Sequence, residues 1–533
     1  MVVPELKAWR AARPHVVRVA RSVRPRLVRA AEIVGPPLAR AAGAVKPLVK
    51  RPSTVQFTAG ATTLGLVVAA GVATAAGPWD STGQRTAERD WAASRERAGG
   101  ADHGRVPGTS GKAPAPAPSA ASVLAALDGS ADSAPSPTEK ALGKVLGPLL
   151  DDRALGSDRA GAVVDVATGK RLYGKRAADA LTPASTTKIA TGVAALTAAG
   201  ADHRIATRVV LEPGTEEVVL VGGGDPTLTA RKDADGNASL RSLADRTARA
   251  LKSGKAGRNG RNGRVTLSYD TSLYAGSAAH PIGPNPNLAP VSALMIDEGR
   301  LDDSSSGPAE RSTDPAGDAA RKFADLLHER GVETTVPGTS KASGRAKTLA
   351  TVTSPPLSAL VERMLTSSDN DIAEALARQT ALASGEPAGF KGGAAATRKQ
   401  LKKLGLPLKG AKFADGSGLD RSDRLSADLL TALLAEAADP DRPELRPVLT
   451  GLPVAGFTGT LSKRYAGRPG TGVVRAKTGT LTGVHTLAGT VVDTEGRLLA
   501  FAFLTTSSPP ADPTAAQQGL DQLASTLATC GCD

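Results

Sequence analysis

The chain has 533 residues, long enough for two or three domains, and 41% of them are apolar, an ordinary share for a protein with sizeable cores. Aromatic residues make up only 3%, so those cores are aliphatic. The formal charge of +14 suggests a polyanion partner until it is located: residues 1–51 hold twelve Lys and Arg against Glu5 and Glu32, the rest of the chain carries only +4, and no nucleic acid is expected as a partner.

That basic stretch, 1–51, reads as a cytoplasmic tail. No charged residue then appears until Asp80, and residues 54–78 are long and apolar enough to cross a bilayer as a helix, so 52–79 is expected to be a transmembrane helix or signal anchor. The charge step places the tail inside and everything after Asp80 outside. A cleaved signal peptide is the alternative, because Ala73-Thr-Ala75 resembles a cleavage site; either way the remainder is extracytoplasmic. Residues 80–135, rich in Ala, Pro, Ser and Gly around Lys112-Ala-Pro-Ala-Pro-Ala-Pro118, cannot bury enough apolar surface to order themselves and read as a disordered tether.

Folding is expected from about Thr138. Ala160–Val166 and Lys170–Gly174 flank a glycine-bearing turn and predict a hairpin. Pro183 then precedes an alanine-rich helix closed by Gly200, with Ile189, Val193 and Leu196 on one face and Ser185 in its first turn. Three residues on, Lys188 falls on the same face as Ser185. A lysine that is neutral part of the time can take the serine proton, and burial or a neighbouring cation such as Lys477 would promote that state. A helix start also offers free N–H groups to an oxyanion. Alone, however, Ser-x-x-Lys is a common tetrapeptide on surface helices.

The next chemical word lies about 180 residues away, too far for a loop in a compact domain. Residues 207–349 are therefore expected to be an inserted domain, β-rich because Arg208–Leu211, Val218–Val221 and Val265–Ser268 read as strands. An amphipathic helix with Leu357, Leu360, Val361, Met364 and Leu365 follows and stops at Ser368-Asp369-Asn370, which reads as a helix–helix turn. Taken alone this word is an ordinary N-cap. Val473–Thr480 reads as a strand carrying Lys477-Thr478-Gly479, the first of a three-strand meander with Thr486–Asp493 and Leu498–Thr505. Gly479 removes a side chain where a substrate backbone would approach.

Each word is weak singly; their order and placement on a helix start, an inter-helix turn and a strand make them specific for a serine acylated with lysine help. With Arg475–Val484, Leu452–Leu461, Phe413–Arg421, Gly222–Leu228 and Asp270–Tyr274, residues 138–527 closely resemble the D-alanyl-D-alanine carboxypeptidase/endopeptidase family, the class C low-molecular-mass penicillin-binding proteins. The resemblance implies an α/β (α+β) penicillin-binding-protein/β-lactamase-like transpeptidase fold, an antiparallel sheet flanked by helices, formed by 136–206 and 350–533 with 207–349 inserted. It implies an acyl-serine D,D-peptidase acting on peptidoglycan stem peptides ending in D-Ala-D-Ala, with β-lactams as covalent inhibitors and no cofactor or metal. Ser185 would be the nucleophile, Lys188 its base, Ser368 the proton relay, Asn370 the holder of the substrate amide, and Lys477 the source of local field. Thr478, Gly479 and Thr480 would line the substrate-binding strand, and the Ser185 and Thr480 amides would form the oxyanion hole.

The sequence departs from the family at His280–Asn287, where the aromatic and acidic residues that grip the stem-peptide side chain are missing. His485 has no Asp/Ser relay and reads as structural, Gly257–Arg264 as a solvated basic loop, and no spaced His/Cys set points to a metal. Cys530 and Cys532 staple no core. Two rivals share these features: a β-lactamase-like hydrolase, against which the insertion weighs, and a non-catalytic wall-binding scaffold, against which the intact serine and lysines weigh.

Overall fold

The computed structural model describes residues 137–253, 264–507 and 512–530. The expected tail, transmembrane helix and tether lie outside these residues, as do most of the basic loop and Cys532. Among the described residues no helix is long and apolar enough to cross a membrane.

Thr138 caps the first helix, α1 (Glu139–Leu150), by accepting from the Ala141 amide, and Leu142, Leu146 and Leu150 form its buried stripe. The hairpin follows as β1 (Asp158–Asp165) and β2 (Arg171–Lys175), antiparallel as expected. Then comes α2 (Thr187–Ala199), whose residues 187 to 196 are all buried; a helix apolar on every side belongs in the middle of a core.

The segment between the first two chemical words is a domain of mixed α/β character, which corrects the β-rich expectation. It contains β3 (Arg204–Leu211), β4 (Glu217–Val221), α3 (Leu240–Ser253), β5 (Arg264–Asp270), α4 (Pro315–His328), the short β6 (Glu333–Thr334) and β7 (Gly338–Thr339), and β8 (Lys347–Pro356). Its sheet runs β6-β5-β4-β3-β8, with β7 beside β5. β4 and β5 pair in parallel, which requires a crossover. Leu240, Leu243, Ala244 and Leu251 supply the apolar stripe of the connecting helix, which with Phe323, Leu326 and Leu327 of α4 covers Val209, Val218, Leu220 and Leu267. The sheet begins at Arg204 and closes at Pro356 through the antiparallel β3–β8 pair, so both strands extend beyond 207–349.

The chain returns through α5 (Leu357–Ser367), α6 (Asn370–Ser384), α7 (Phe390–Lys403), α8 (Ala427–Ala438) and the short α9 (Pro447–Thr450). The meander β9 (Arg475–Leu481), β10 (Val484–Val492) and β11 (Leu498–Thr506) joins the hairpin in a five-stranded antiparallel sheet, order β2-β1-β11-β10-β9, and α10 (Pro513–Ala528) ends the domain. Alternation on β11 sorts the two faces. Leu499, Phe501 and Phe503 pack with α1 and α10, whereas Ala500, Ala502 and Leu504 face α2, α5 and α8. The small residues on the second face let the helix layer lie close to the strands.

Candidate active site

The three words meet where α2, the α5–α6 junction and the edge strand β9 converge. The Pro183 carbonyl accepts from Thr186 Oγ1 at 2.7 Å and from Thr486 Oγ1 of β10 at 2.8 Å, which ties the approach to the sheet. Ser185 lies in a 3₁₀ turn, Ala184–Thr186, just ahead of the α-helix rather than inside it, and Ala184 takes φ +48°. The part-buried hydroxyl of Ser185 accepts from Lys188 Nζ at 3.0 Å.

Lys188 is completely buried. Its three donors are fully used: besides Ser185 Oγ, it bonds Asn370 Oδ1 at 2.7 Å and the Ser417 carbonyl at 2.7 Å. Asn370 donates Nδ2 to the Asn287 carbonyl at 2.9 Å. A carbonyl can only accept, so this contact fixes which end of the amide faces the lysine. Burial drives the Lys188 pKa down to about 8, against the pull of Asp415, Asp369, Glu374 and Asp423.

Lys477, also completely buried, donates to Ser368 Oγ and to the Thr478 carbonyl, each at 2.8 Å. Burial first, and then the Lys188 charge, hold it well below the ordinary lysine range. Burial, not Lys477, is thus the main cause of the Lys188 shift. The Asp415, Asp369 and Glu374 carboxylates face Lys188, so a proton confined to the lysine pair rests there.

The Ser-Asp-Asn word is divided more finely than a turn. Ser368 is the left-handed C-cap of α5 at φ +59°, Asp369 is the N-cap of α6 through Ile372 N, and Asn370 is already the first helical residue. The left-handed residue reverses the chain so that Ser368 and Asn370 reach the two lysines separately. Behind it, Asp369, Asp371 and Glu298 form a buried carboxylate cluster. Arg311 pairs with Asp371, and Arg300 and Arg363 pair with Glu298, so guanidinium groups already supply the charge a metal would bring.

On β9, Thr478 Oγ1 hydrogen-bonds Thr460 Oγ1 at 2.9 Å, and exposed Thr480 stands opposite His485. Gly479 also has a steric reason to be glycine: a Cβ there would lie 2.0 Å from Thr486 Oγ1, 2.8 Å from the Pro183 carbonyl and 3.1 Å from Ala184 Cβ, so it admits the Ser185 turn against the strand. His485 is buried, with its pKa lowered by burial, and belongs to the strand packing.

Several contributors were not assigned from sequence. The Phe413–Arg421 segment runs beneath the Ser185 turn: Gly418, at φ +82°, leaves no room for a Cβ, which would sit 1.9 Å from the Ala184 carbonyl. Asp415 is brought to about 2, despite burial, by His280 and by the Gly418 and Asp420 amides, while burial and the Asp415 charge push Asp423 up to about 9. The pair therefore holds one proton near neutral pH. His280, in the segment lacking family residues, bonds Asp415 Oδ2 at 3.0 Å. His280, Glu374 and Asp415 are close enough to suggest a metal triad, but each already has hydrogen-bond partners.

Residues 142–310 and 302–527 match the model of the D-Ala-D-Ala carboxypeptidase 3 (S13) family. The chain is 38% identical over 420 residues to carboxypeptidase DacB of Mycolicibacterium smegmatis, covering 75% of this chain and 86% of the relative. It is 30% identical over 447 residues to D-alanyl-D-alanine carboxypeptidase of Actinomadura sp. (strain R39), covering 70% and 82%. Among solved structures, penicillin binding protein 4 (dacB) of Haemophilus influenzae superimposes with a TM-score of 0.59 at 22% identity, covering 74% of this chain and 99% of that one, a likeness of fold.

Proposed function

The chain belongs to the D-Ala-D-Ala carboxypeptidase 3 (S13) family and is a serine-type D-Ala-D-Ala carboxypeptidase, and we propose that Ser185 carries its chemistry with Lys188 as base. One observation supports this assignment above the others: the buried Lys188 ammonium reaches the Ser185 hydroxyl at 3.0 Å while Asn370 and the Ser417 carbonyl hold it in place.

Ser185 Oγ attacks the carbonyl carbon between the two D-alanines as its proton passes to Lys188. The Ser185 and Thr480 amides take the oxyanion. The C–N bond then breaks as the proton taken by Lys188 is relayed through the Ser368 hydroxyl, bonded to Lys477, to the departing D-alanine amine, which leaves Lys188 neutral and Ser368 protonated. Water attacks the acyl-serine, returns a proton to Ser185, and frees the shortened peptide. Asn370 holds the substrate amide, and Thr478 and Thr480 hold its terminal carboxylate. The substrate class is peptidoglycan stem peptide, and β-lactams acylate the same serine; cleavage of cross-linked stem peptides is the endopeptidase form of the same step. Residues 54–78 would anchor the chain in the cell membrane, residues 80–135 would tether it, and the catalytic domain would lie outside, with secretion after signal cleavage as the alternative.

The full chain incubated with fluorescent penicillin is expected to carry one covalent label that Ser185→Ala abolishes. Equal labelling of the variant would refute the assignment. Rapid penicillin turnover without D-alanine release would favour a β-lactamase-like hydrolase.

A further inference from the structure

The base has a support that the mechanism above does not use. Lys188 leans on a backbone carbonyl, Ser417, and a carbonyl in a loop is only as well placed as the loop. Here the loop is pinned from α6. Glu374 Oε1 accepts the backbone N–H of Gly416 at 3.0 Å and of Ser417 at 2.9 Å. Its other oxygen accepts from Arg378 NH1 at 3.1 Å. Glu374 is completely buried, one helical turn beyond Asn370, and all of these contacts are ones it accepts, so the site is built for its ionised form.

Arg378 is itself held. Its guanidinium lies 4.3 Å from the Phe390 ring centroid and 5.5 Å from that of Tyr274, and the Tyr274 hydroxyl donates to the Gly224 carbonyl at 3.2 Å. The next helical residue, Gln379, donates to the Gly223 carbonyl at 2.9 Å. The carboxylate thus stands on a buried frame that joins the inserted domain to the loop under the nucleophile.

We propose that Glu374 is a positioning residue for the general base: it fixes the Ser417 carbonyl against Lys188 Nζ and sets a fixed negative charge behind the ammonium. The inference rests on the reading of Lys188 as base. Lys188 is faced by Asp369 and Glu374 of the α5–α6 junction and α6, by Asp415 and Asp423 of the loop, and by Lys477 of β9. Burial and then the Asp415 charge raise the Glu374 pKa, opposed by Arg378, His280 and the Ser417 contact, and it is the set of donors around it, with no acceptor among them, that favours the ionised form. Glu374→Gln keeps an acceptor oxygen for the two amides and removes the charge. Glu374→Asp keeps the charge and withdraws the carboxylate from the amides.

The test is the second-order rate constant for acylation by fluorescent penicillin against pH, on the full chain, with folded fraction taken from thermal unfolding. For Glu374→Gln the acid limb is expected to move to lower pH, so that the rate at pH 6, as a fraction of its own plateau, rises about threefold, the size of effect one lost charge produces at a buried site. For Glu374→Asp the limb is expected to stay and the plateau to fall by about tenfold, as a displaced base partner would cause. A merely structural role lowers the folded fraction and leaves the limb and the plateau per folded molecule unchanged, and that result overturns the proposal. If Glu374→Gln does not fold, Glu374→Asp decides: a wild-type plateau in folded protein overturns it. A wild type without Ser185-dependent label would instead strike the underlying reading.

Discussion

With Lys188 as the proposed base, acylation becomes a function of pH whose shape can be worked out. Burial lowers its pKa from the ordinary lysine range to about 8, and only the neutral amine can accept the Ser185 proton. For a group titrating there, about half is neutral at pH 8, about a tenth at pH 7 and about a hundredth at pH 6. The sign follows directly: the pKa is depressed, the protonated form is inactive, and acylation falls as pH drops through the folded value. Between pH 8 and pH 6 the rate constant is expected to fall about fiftyfold, and above pH 9 to flatten. Stopped-flow acylation by a fluorescent penicillin measures this step free of deacylation, with Ser185→Ala as the blank. Lys188→Arg should be inert throughout, because a guanidinium stays protonated at every accessible pH. A rate that changes less than about threefold over that interval would refute Lys188 as the titrating base.

Three substitutions probe the geometry around it. Asn370→Asp puts a carboxylate where an amide oxygen lies 2.7 Å from Lys188 and leaves the Asn287 carbonyl without its donor; the acid limb should move to higher pH, acylation at pH 7 should drop about tenfold or more, and urea unfolding should show a loss of about 1–3 kcal/mol. Gly479→Ala drives a Cβ to 2.0 Å from Thr486 Oγ1, and relief by rotating Thr486 breaks its bond to Pro183; a loss of about 1–3 kcal/mol in urea, with slower acylation per folded molecule, is expected. Gly224→Ala, at φ +91° with a Cβ 2.1 Å from the Tyr274 hydroxyl, should lower Tm and acylation together by loosening the frame around Arg378.

The three words were legible because each is carried by side chains and each sits at a boundary that periodicity marks. Pro183 and Gly200 bracket α2, the leucine stripe of α5 stops at Ser367, and β-branched residues frame the meander. What closes the site was not legible, because backbone groups leave no residue signature. The carbonyls of Ser417 and Asn287 orient Lys188 and the Asn370 amide, yet any residue presents a carbonyl. Glu374 is similarly disguised: one turn into a helix, an acidic residue reads as solvated surface until the structure buries it. The packing need at Gly479 was not legible either, because it is a clash with Thr486 and Pro183, residues far from it in sequence. The helices of the inserted domain did leave a trace, Leu240, Leu243, Thr247 and Leu251 at helical spacing, and the strand runs on either side obscured it.

The inserted domain is best understood as a wall of the site rather than an attachment to it. Its Asn287 carbonyl holds Asn370, its His280 holds Asp415, its Ala289 amide and Arg311 hold Asp371, and its Gly223 carbonyl receives Gln379. Removing it would strand several of these buried polar groups without partners, at about 1–3 kcal/mol each, a sum comparable to the whole stability of a domain. The chain ends left by such a removal are already adjacent, since Leu357 N bonds the His203 carbonyl at 2.9 Å and Ser358 N the Ala201 carbonyl at 3.0 Å. A short Gly-Ser link replacing residues 204–356 therefore imposes no closure strain, and failure of that variant would report the lost contacts. We expect it to be insoluble or, if folded, to acylate with penicillin at least a hundredfold more slowly, because Asn370 and the loop under Lys188 lose their supports together. An excised protein that folds and labels at the wild-type rate would show that the catalytic layers complete the site alone.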